Sequence, residues 1–194
     1  MKVTTRGACE RIARHACALA VRTGRKRVTI VHKANIMKLA DGMFLRVCRQ
    51  VASEFPDLEV NDVIVDALCM RVVLDPTRFG VLVCGNLFGD IVSDLCAGLV
   101  GGPSNAPSIN RCDAGTLYTA GHGDPPEVAG TGRANPLPLL LSAVHLLANE
   151  GHPEAATRLR SALEGVLVAG ERPVALGGSA GPEQFCGAVM EALA

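Results

Sequence analysis

"GNLFGDIVSDLCAGLVGG", residues 85–102, carries Asp90 and Asp94 four positions apart in an otherwise apolar segment. Leu87, Ile91, Val92, Leu95 and Leu99 recur at helical spacing, so the stretch reads as an amphipathic helix with Asn86 as its candidate cap. It follows directly on "FGVLVCGN", residues 79–86, a short β-branched run that reads as a buried strand. A strand feeding straight into a helix is the repeating unit of an α/β protein with a parallel sheet. Asp90 lies close enough to the helix start to feel its positive dipole. Asp94 lies a turn further on, where the dipole helps little and like charges at i,i+4 repel slightly. A solvated face and a two-carboxylate edge for a divalent cation both fit this spacing. The rest of the chain has to choose between them.

The same alternation runs upstream. Thr5 can cap a helix whose apolar stripe is Ile12, Ala13, Ala16, Leu19 and Ala20, ending at Gly24. "RVTIVHK" then reads as a strand leading to Lys33. A second helix is expected from about Leu39 to Glu54, through Met43, Phe44, Val47 and Val51, with Pro56 behind it. "LEVNDVIVDALCMRVVLDP" reads as a short strand and then a helix carrying Asp66 and Met70, stopped near Pro76. After Gly101 the texture changes: residues 101–136 are rich in Gly, Pro, Asn and Asp. So long a connection is expected to be functional or disordered, and it divides the chain into regions 1–100 and 101–194. Helices resume at "PLLLSAVHLLANEG" and "PEAATRLRSALEGVLVAG", and a final one opens at Pro182.

Composition narrows the class. With 48% hydrophobic and 20% charged residues, the 194-residue chain can bury a substantial core. Its 19 basic and 19 acidic residues cancel, so it lacks the electrostatic footprint of a nucleic-acid-binding protein. The one basic cluster, "RTGRKR" at 22–27, joins a helix to a strand and reads as a solvated turn. Eight cysteines stand singly with no CxxC pair, the pattern of buried free thiols in a reducing compartment. The first twenty residues lack the apolar core of a secretory signal, and no run approaches the ~20 apolar residues of a membrane span. A soluble, cytoplasmic protein is expected.

Four stretches, taken in order, resemble the metal-dependent β-decarboxylating dehydrogenases, which act on isocitrate, isopropylmalate and homoisocitrate. They are "TIVHKANIMKLADGMF", "VDALCM", "GNLFGDIVSDLCAGLVGG" and "HGDPPEVAGTGRANP". "ALGGSAGPEQF" is similar to the family's closing turn and last helix. The resemblance implies an α/β fold of the isocitrate/isopropylmalate dehydrogenase type, represented by its C-terminal half. Residues 1–100 would belong to the smaller, dimer-forming domain, and residues 101–194 to the large cofactor-binding domain.

It also implies roles. Asp66, Asp90 and Asp94 would be carboxylate ligands of Mg²⁺ or Mn²⁺, hard ions that favour oxygen donors. Taken alone, Asp66 reads as a helix-terminal cap and Lys33 as a solvated lysine. In the family the matching lysine reaches into the neighbouring subunit's site and helps move the proton of the substrate hydroxyl. Lys33 and Asp66 would thus serve the partner's site while Asp90 and Asp94 serve their own, which makes a homodimer a functional requirement. "HGDPPEVAG" resembles the adenosine-binding loop, so His122, Gly123, Glu127 and Asn135 become candidate cofactor residues. Glu127 stands where an acid marks the NAD-linked members, because a carboxylate accepts hydrogen bonds from ribose hydroxyls but repels a 2′-phosphate. His122 by itself reads equally well as a turn-stabilising side chain between glycines.

The departures from the family pattern matter as much. This chain matches only the second half, and the other half carries the substrate-binding arginines and the tyrosine that protonates the enolate. "LYTAGHG" lacks the usual glutamate-proline pair before the histidine, "PSNAPSIN" has lost loop glycines, and Asp124 replaces a small residue. Helices such as "LPLLLSAVHLLA" are expected to lack the strands they would cover. The implied function is an NAD-linked, Mg²⁺-dependent oxidative decarboxylation of a 2-hydroxy-polycarboxylate, completed by a further chain supplying the N-terminal half. "VHKANIMK" leans toward isocitrate or homoisocitrate. The alternative is a non-catalytic regulatory subunit or an inactive truncated remnant of the family.

Overall fold

The computed structural model describes residues 3–123 and 126–194, and the chain divides into two units, one through Cys96 and one from Ala97. The first unit holds α1 (Arg6–Arg22), β1 (Arg27–His32), α2 (Ala40–Ala52), β2 (Glu59–Ile64), α3 (Val65–Leu74), β3 (Val81–Cys84) and most of α4 (Asn86–Leu99). The three strands are parallel, in the order β2-β1-β3, with Val28 opposite both Val60 and Val81. β1 is central and almost wholly buried, as a parallel strand covered on both faces must be. Val28 and Ile30 join Ala13, Ala16, Val47 and Val51 from α1 and α2 in one core. Val31 joins Leu68 and Val72 of α3 and Val92 of α4 in another. Each fully buried Ile or Leu in these layers contributes about 1.5–3 kcal/mol.

Local details refine the sequence reading. The Thr5 hydroxyl accepts from the Ala8 amide at 3.4 Å, so the expected cap of α1 is in place. The stripe of α1 is turned slightly from expectation: Cys9 and Cys17 are buried with Ala13, Ala16 and Ala20, while Ile12 is 41% exposed. Small residues on this face let α1 lie close to α2, which the bulkier Ile12 would prevent. Asn86 is the first helical residue of α4 and not its cap; the Gly85 carbonyl accepts the first helical bond, from Gly89 at 2.8 Å.

The second unit differs most from expectation. Residues 101–136 are not a structureless connection, because they contain an antiparallel hairpin of β4 (Pro107–Cys112) and β5 (Gly115–Ala120). Only Asp113 and Ala114 separate the strands. α5 (Leu137–Asn149) lies on this hairpin. Ser142 Oγ donates to the Thr119 carbonyl at 2.6 Å, and Asn149 Nδ2 donates to the Tyr118 hydroxyl at 2.8 Å. α5 therefore does have strands to cover, although Leu139 remains 58% exposed. α6 (Pro153–Val168) and α7 (Pro182–Leu193) complete a core of Leu137, Val144, Leu163, Val166, Phe185 and Val189. The turn before α7 demands glycine: Gly177 takes φ +75°, and a Cβ on Gly178 would stand 2.0 Å from the Arg172 carbonyl oxygen.

All eight cysteines are free. Cys9, Cys17 and Cys48 are buried as expected, but Cys112, the last residue of β4 beside the hairpin turn, is exposed. Burial pushes the Cys48 and Cys84 thiols up to about 12. Among the described residues no helix is long and apolar enough to cross a membrane.

Candidate functional site

The chemistry-bearing residues of the first unit gather at the carboxyl ends of its strands, the edge at which open α/β sheets bind ligands. Lys33 is the first residue beyond β1, Asp66 the second residue of α3 after β2, and Asp90 lies in α4 after β3. Lys33 Nζ donates to Asp66 Oδ1 at 2.8 Å. The Lys33 side chain is largely sheltered while that of Asp66 is 68% exposed. The hydrogen bond from Lys33 holds the Asp66 carboxyl below its usual range.

The backbone around Lys33 is fixed from several sides. Its N–H donates to the buried Asp41 carboxylate at 2.8 Å, and its carbonyl accepts from Ile36 and Met37 at 3.0 and 2.8 Å. The next amide, of Ala34, donates to His32 Nδ1 at 3.0 Å. None of these anchoring groups stands out by spacing. Asp41 reads as an ordinary acid at the start of α2, and the partner of His32, Asp62, is thirty residues away.

Asp90 and Asp94 are both exposed on α4, one turn apart. Among the described residues no three His, Cys, Asp or Glu side chains converge on one point, so Asp66, Asp90 and Asp94 do not close a cluster within one chain. Three carboxylates are nonetheless a donor set of the kind that a hard divalent cation takes. The same faces of α3 and α4 expose Met70, Val73, Leu74, Leu87 and Ile91, more apolar surface than scattered single residues account for. A cavity of about 720 Å³ also opens at this edge, lined by Thr5, Cys9, Val31, Asp41, Phe44 and Asn86. Neither Lys33 nor any of the three candidate metal acids lines it.

The loop resembling an adenosine site lies in the second unit. His122 is half-buried, and its Nδ1–H donates to the Gly123 carbonyl at 2.6 Å, a turn-stabilising bond. Glu127 sits exposed in a single 3₁₀ turn, Pro126–Val128, with its carboxylate open to solvent. Asn135 is committed to the fold. Its Nδ2 donates to the Ser104 carbonyl at 2.7 Å and to Asn105 Oδ1 at 3.0 Å, and its Oδ1 accepts from the Leu137 amide at 3.1 Å. Asp124 lies outside the described residues.

Comparison with known proteins places these features in a family. The family model described as isocitrate/isopropylmalate dehydrogenase matches residues 1–193. The chain is 45% identical to the 3-isopropylmalate dehydrogenase of Archaeoglobus fulgidus, covering all of this chain and 59% of that one. It is 43% identical to a regulatory chain of the mitochondrial NAD isocitrate dehydrogenase of Dictyostelium discoideum, over 88% of this chain and 49% of that one. The crystal structure of isocitrate dehydrogenase from Methylococcus capsulatus superposes with a TM-score of 0.94 at 42% identity, covering the whole chain and 58% of that structure. The chain thus spans between about half and three-fifths of the length of these three relatives. With its α/β fold and a match over essentially its whole length, the chain belongs to the isocitrate/isopropylmalate dehydrogenase family of oxidoreductases.

Proposed function

We propose that this chain supplies the metal-acid and proton-transfer half of an NAD-linked, Mg²⁺- or Mn²⁺-dependent dehydrogenase that oxidises and decarboxylates an isocitrate-like 2-hydroxy acid. It works as a homodimer and needs the N-terminal half of the family's architecture. The observation that carries this reading is the Lys33–Asp66 pair held at the carboxyl edge of the sheet that also bears Asp90 and Asp94. In the dimer Lys33 faces the substrate hydroxyl of the neighbouring site and helps move its proton. Asp90 and Asp94 of one copy and Asp66 of the other present oxygen donors to the cation. A divalent cation bound there supplies Lewis acidity to the substrate's hydroxyl and carboxylate oxygens. Glu127 accepts hydrogen bonds from the cofactor's ribose hydroxyls. The exposed apolar strip on α3 and α4 supports the dimer, since it needs covering.

A second reading is a regulatory, non-catalytic chain, and the likeness to a regulatory isocitrate dehydrogenase chain favours it. So does "LYTAGHG", which lacks the family's glutamate-proline pair. One assay separates the two. NADH absorbance is followed with isocitrate, NAD and Mg²⁺, first with the 194-residue chain alone and then with the N-terminal half of a full-length relative added. Positioning and charge stabilisation account for several kcal/mol of such barriers, so the chain alone should show no turnover and the pair a measurable rate. Robust turnover by the chain alone would overturn the account of what it lacks. A folded, associated pair that makes no NADH would favour the regulatory reading.

A further inference from the structure

His32 closes β1 immediately before Lys33, and its side chain is only 7% exposed. Its two ring nitrogens face different partners. Nδ1 lies 3.0 Å from the Ala34 amide nitrogen, and Nε2 lies 3.1 Å from Asp62 Oδ2. A backbone N–H can only donate, so Nδ1 is the acceptor and carries no proton. The neutral ring therefore keeps its proton on Nε2, which donates to Asp62. The other oxygen of Asp62 accepts from Arg49, in the last turn of α2. Burial pushes the Asp62 carboxyl up, but the hydrogen bonds from Arg49 and His32 outweigh it and hold the group ionised, below its usual range.

The chain of contacts runs Arg49, Asp62, His32, Ala34 N–H, and ties α2, β2 and β1 to the turn that carries Lys33. On the other side of that turn the Lys33 N–H is held by Asp41. An imidazole suits the place because it accepts on one side and donates on the other at the same time. A ring protonated at both nitrogens would set Nδ1–H against the Ala34 N–H, two donors face to face.

We propose that His32 is a positioning residue for Lys33. Held as the Nε2–H tautomer by Asp62 and Arg49, it fixes the Ala34 amide and so the backbone from which the Lys33 ammonium reaches Asp66. Its catalytic meaning rests on the reading of Lys33 as the proton-moving group, while the positioning itself does not.

The test uses the ¹⁵N-labelled 194-residue chain. Ring ¹⁵N shifts should show Nδ1 unprotonated and Nε2 protonated at neutral pH. His32→Asn keeps an acceptor near the place of Nδ1, whereas His32→Gln keeps a polar group near Nε2 and loses that acceptor. Solvent exchange of the Ala34 amide should rise by about tenfold or more in His32→Gln and stay near wild type in His32→Asn. Acylation of the Lys33 ε-amine, followed by mass spectrometry, should change several-fold in the Gln variant alone. Should His32→Gln fail to fold, Asp62→Ala carries the test: losing the acceptor for the Nε2 proton should move the ring shifts toward a mixture of tautomers. A ring protonated at Nδ1, equal behaviour of the Asn and Gln variants, or unchanged ring shifts in Asp62→Ala would overturn the proposal. If these signatures appear as expected and Lys33→Ala leaves NADH production by the completed enzyme unchanged, the catalytic reading of Lys33 falls and the positioning role stands.

Discussion

The ammonium of Lys33 and the carboxylate of Asp66 meet at 2.8 Å across thirty-three positions of sequence. The two groups expected to act together on a neighbouring site are therefore already joined within one chain. Lys33 arrives oriented by its turn, and Asp66 by the first turn of α3. The pair is a preformed unit that a dimer can present, and it can be tested without one.

The Asp66 carboxyl should titrate with a midpoint below its ordinary value of 3.8, because the hydrogen bond from Lys33 favours the ionised form. Its folded value is depressed, so the pair stabilises the fold above the ordinary value and loses that contribution as pH falls through the depressed one. Asp66 is exposed, so the effect on stability is small and salt weakens it. A ¹³C titration of the Asp66 carboxyl should show the midpoint rising toward 3.8 in Lys33→Met. A midpoint that Lys33→Met leaves unmoved would mean that the contact does not persist in solution.

Asp90 and Asp94 should bind Mn²⁺ in a dimer completed by Asp66 of the second copy. Calorimetric titration of Mn²⁺ into wild type and Asp94→Asn should differ clearly, with the heat of binding reduced or lost in the variant. Circular dichroism controls for folding. Equal binding curves from two folded proteins would rule out these carboxylates as ligands.

For the cofactor, a completed enzyme should prefer NAD, and Glu127→Lys should move the preference toward NADP. The change exchanges an acceptor of ribose hydroxyl bonds for a cation that welcomes a 2′-phosphate. Steady-state kcat/KM with each cofactor decides it. A wild-type preference for NADP would sink the role assigned to Glu127.

Phe185 is fully buried at the centre of the second unit, and Phe185→Ala should cost about 3–5 kcal/mol. Val168→Ala, at a position 84% exposed, should stay within about 0.5 kcal/mol of wild type. Tyr118 is the single tyrosine, there is no tryptophan, and Tyr118 lies in the same unit. Its fluorescence during urea unfolding reads this unit directly. Similar midpoints for the two variants would contradict the core described for α5, α6 and α7.

Much of the first unit is legible from periodicity alone. β1 reads as a strand because its apolar run is short and β-branched, and α2 reads as a helix because Phe44, Val47 and Val51 recur at helical spacing. The stripe of α1 is harder to place, since Cys9 and Cys17 read as thiols before they read as core side chains. The hairpin at 107–120 stays hidden because β4 is mostly polar and both strands stand among turn-forming residues. Lys33, Asp66, Asp90 and Asp94 are singled out by resemblance to the dehydrogenases rather than by any spacing that physics alone requires. The union of His32 with Asp62 cannot be read at all: a cross-strand contact between neighbouring parallel strands leaves no period in the sequence. Asn135 shows the reverse case, a residue marked for the cofactor whose amide the fold already holds between Ser104, Asn105 and Leu137.

The placement of the cysteines has a practical consequence at the bench. Of eight reduced thiols, Cys112 alone is exposed, and burial keeps Cys48 and Cys84 protonated far above neutral pH. A brief, dilute maleimide treatment should therefore attach a dye or spin label to Cys112 first. That label would stand at the tip of the hairpin, beside Asp113 and Ala114, and leave the Lys33 turn chemically untouched. The wild-type sequence thus carries a built-in labelling site in the second unit, one that requires no engineered cysteine and that would test the cofactor role proposed for Glu127.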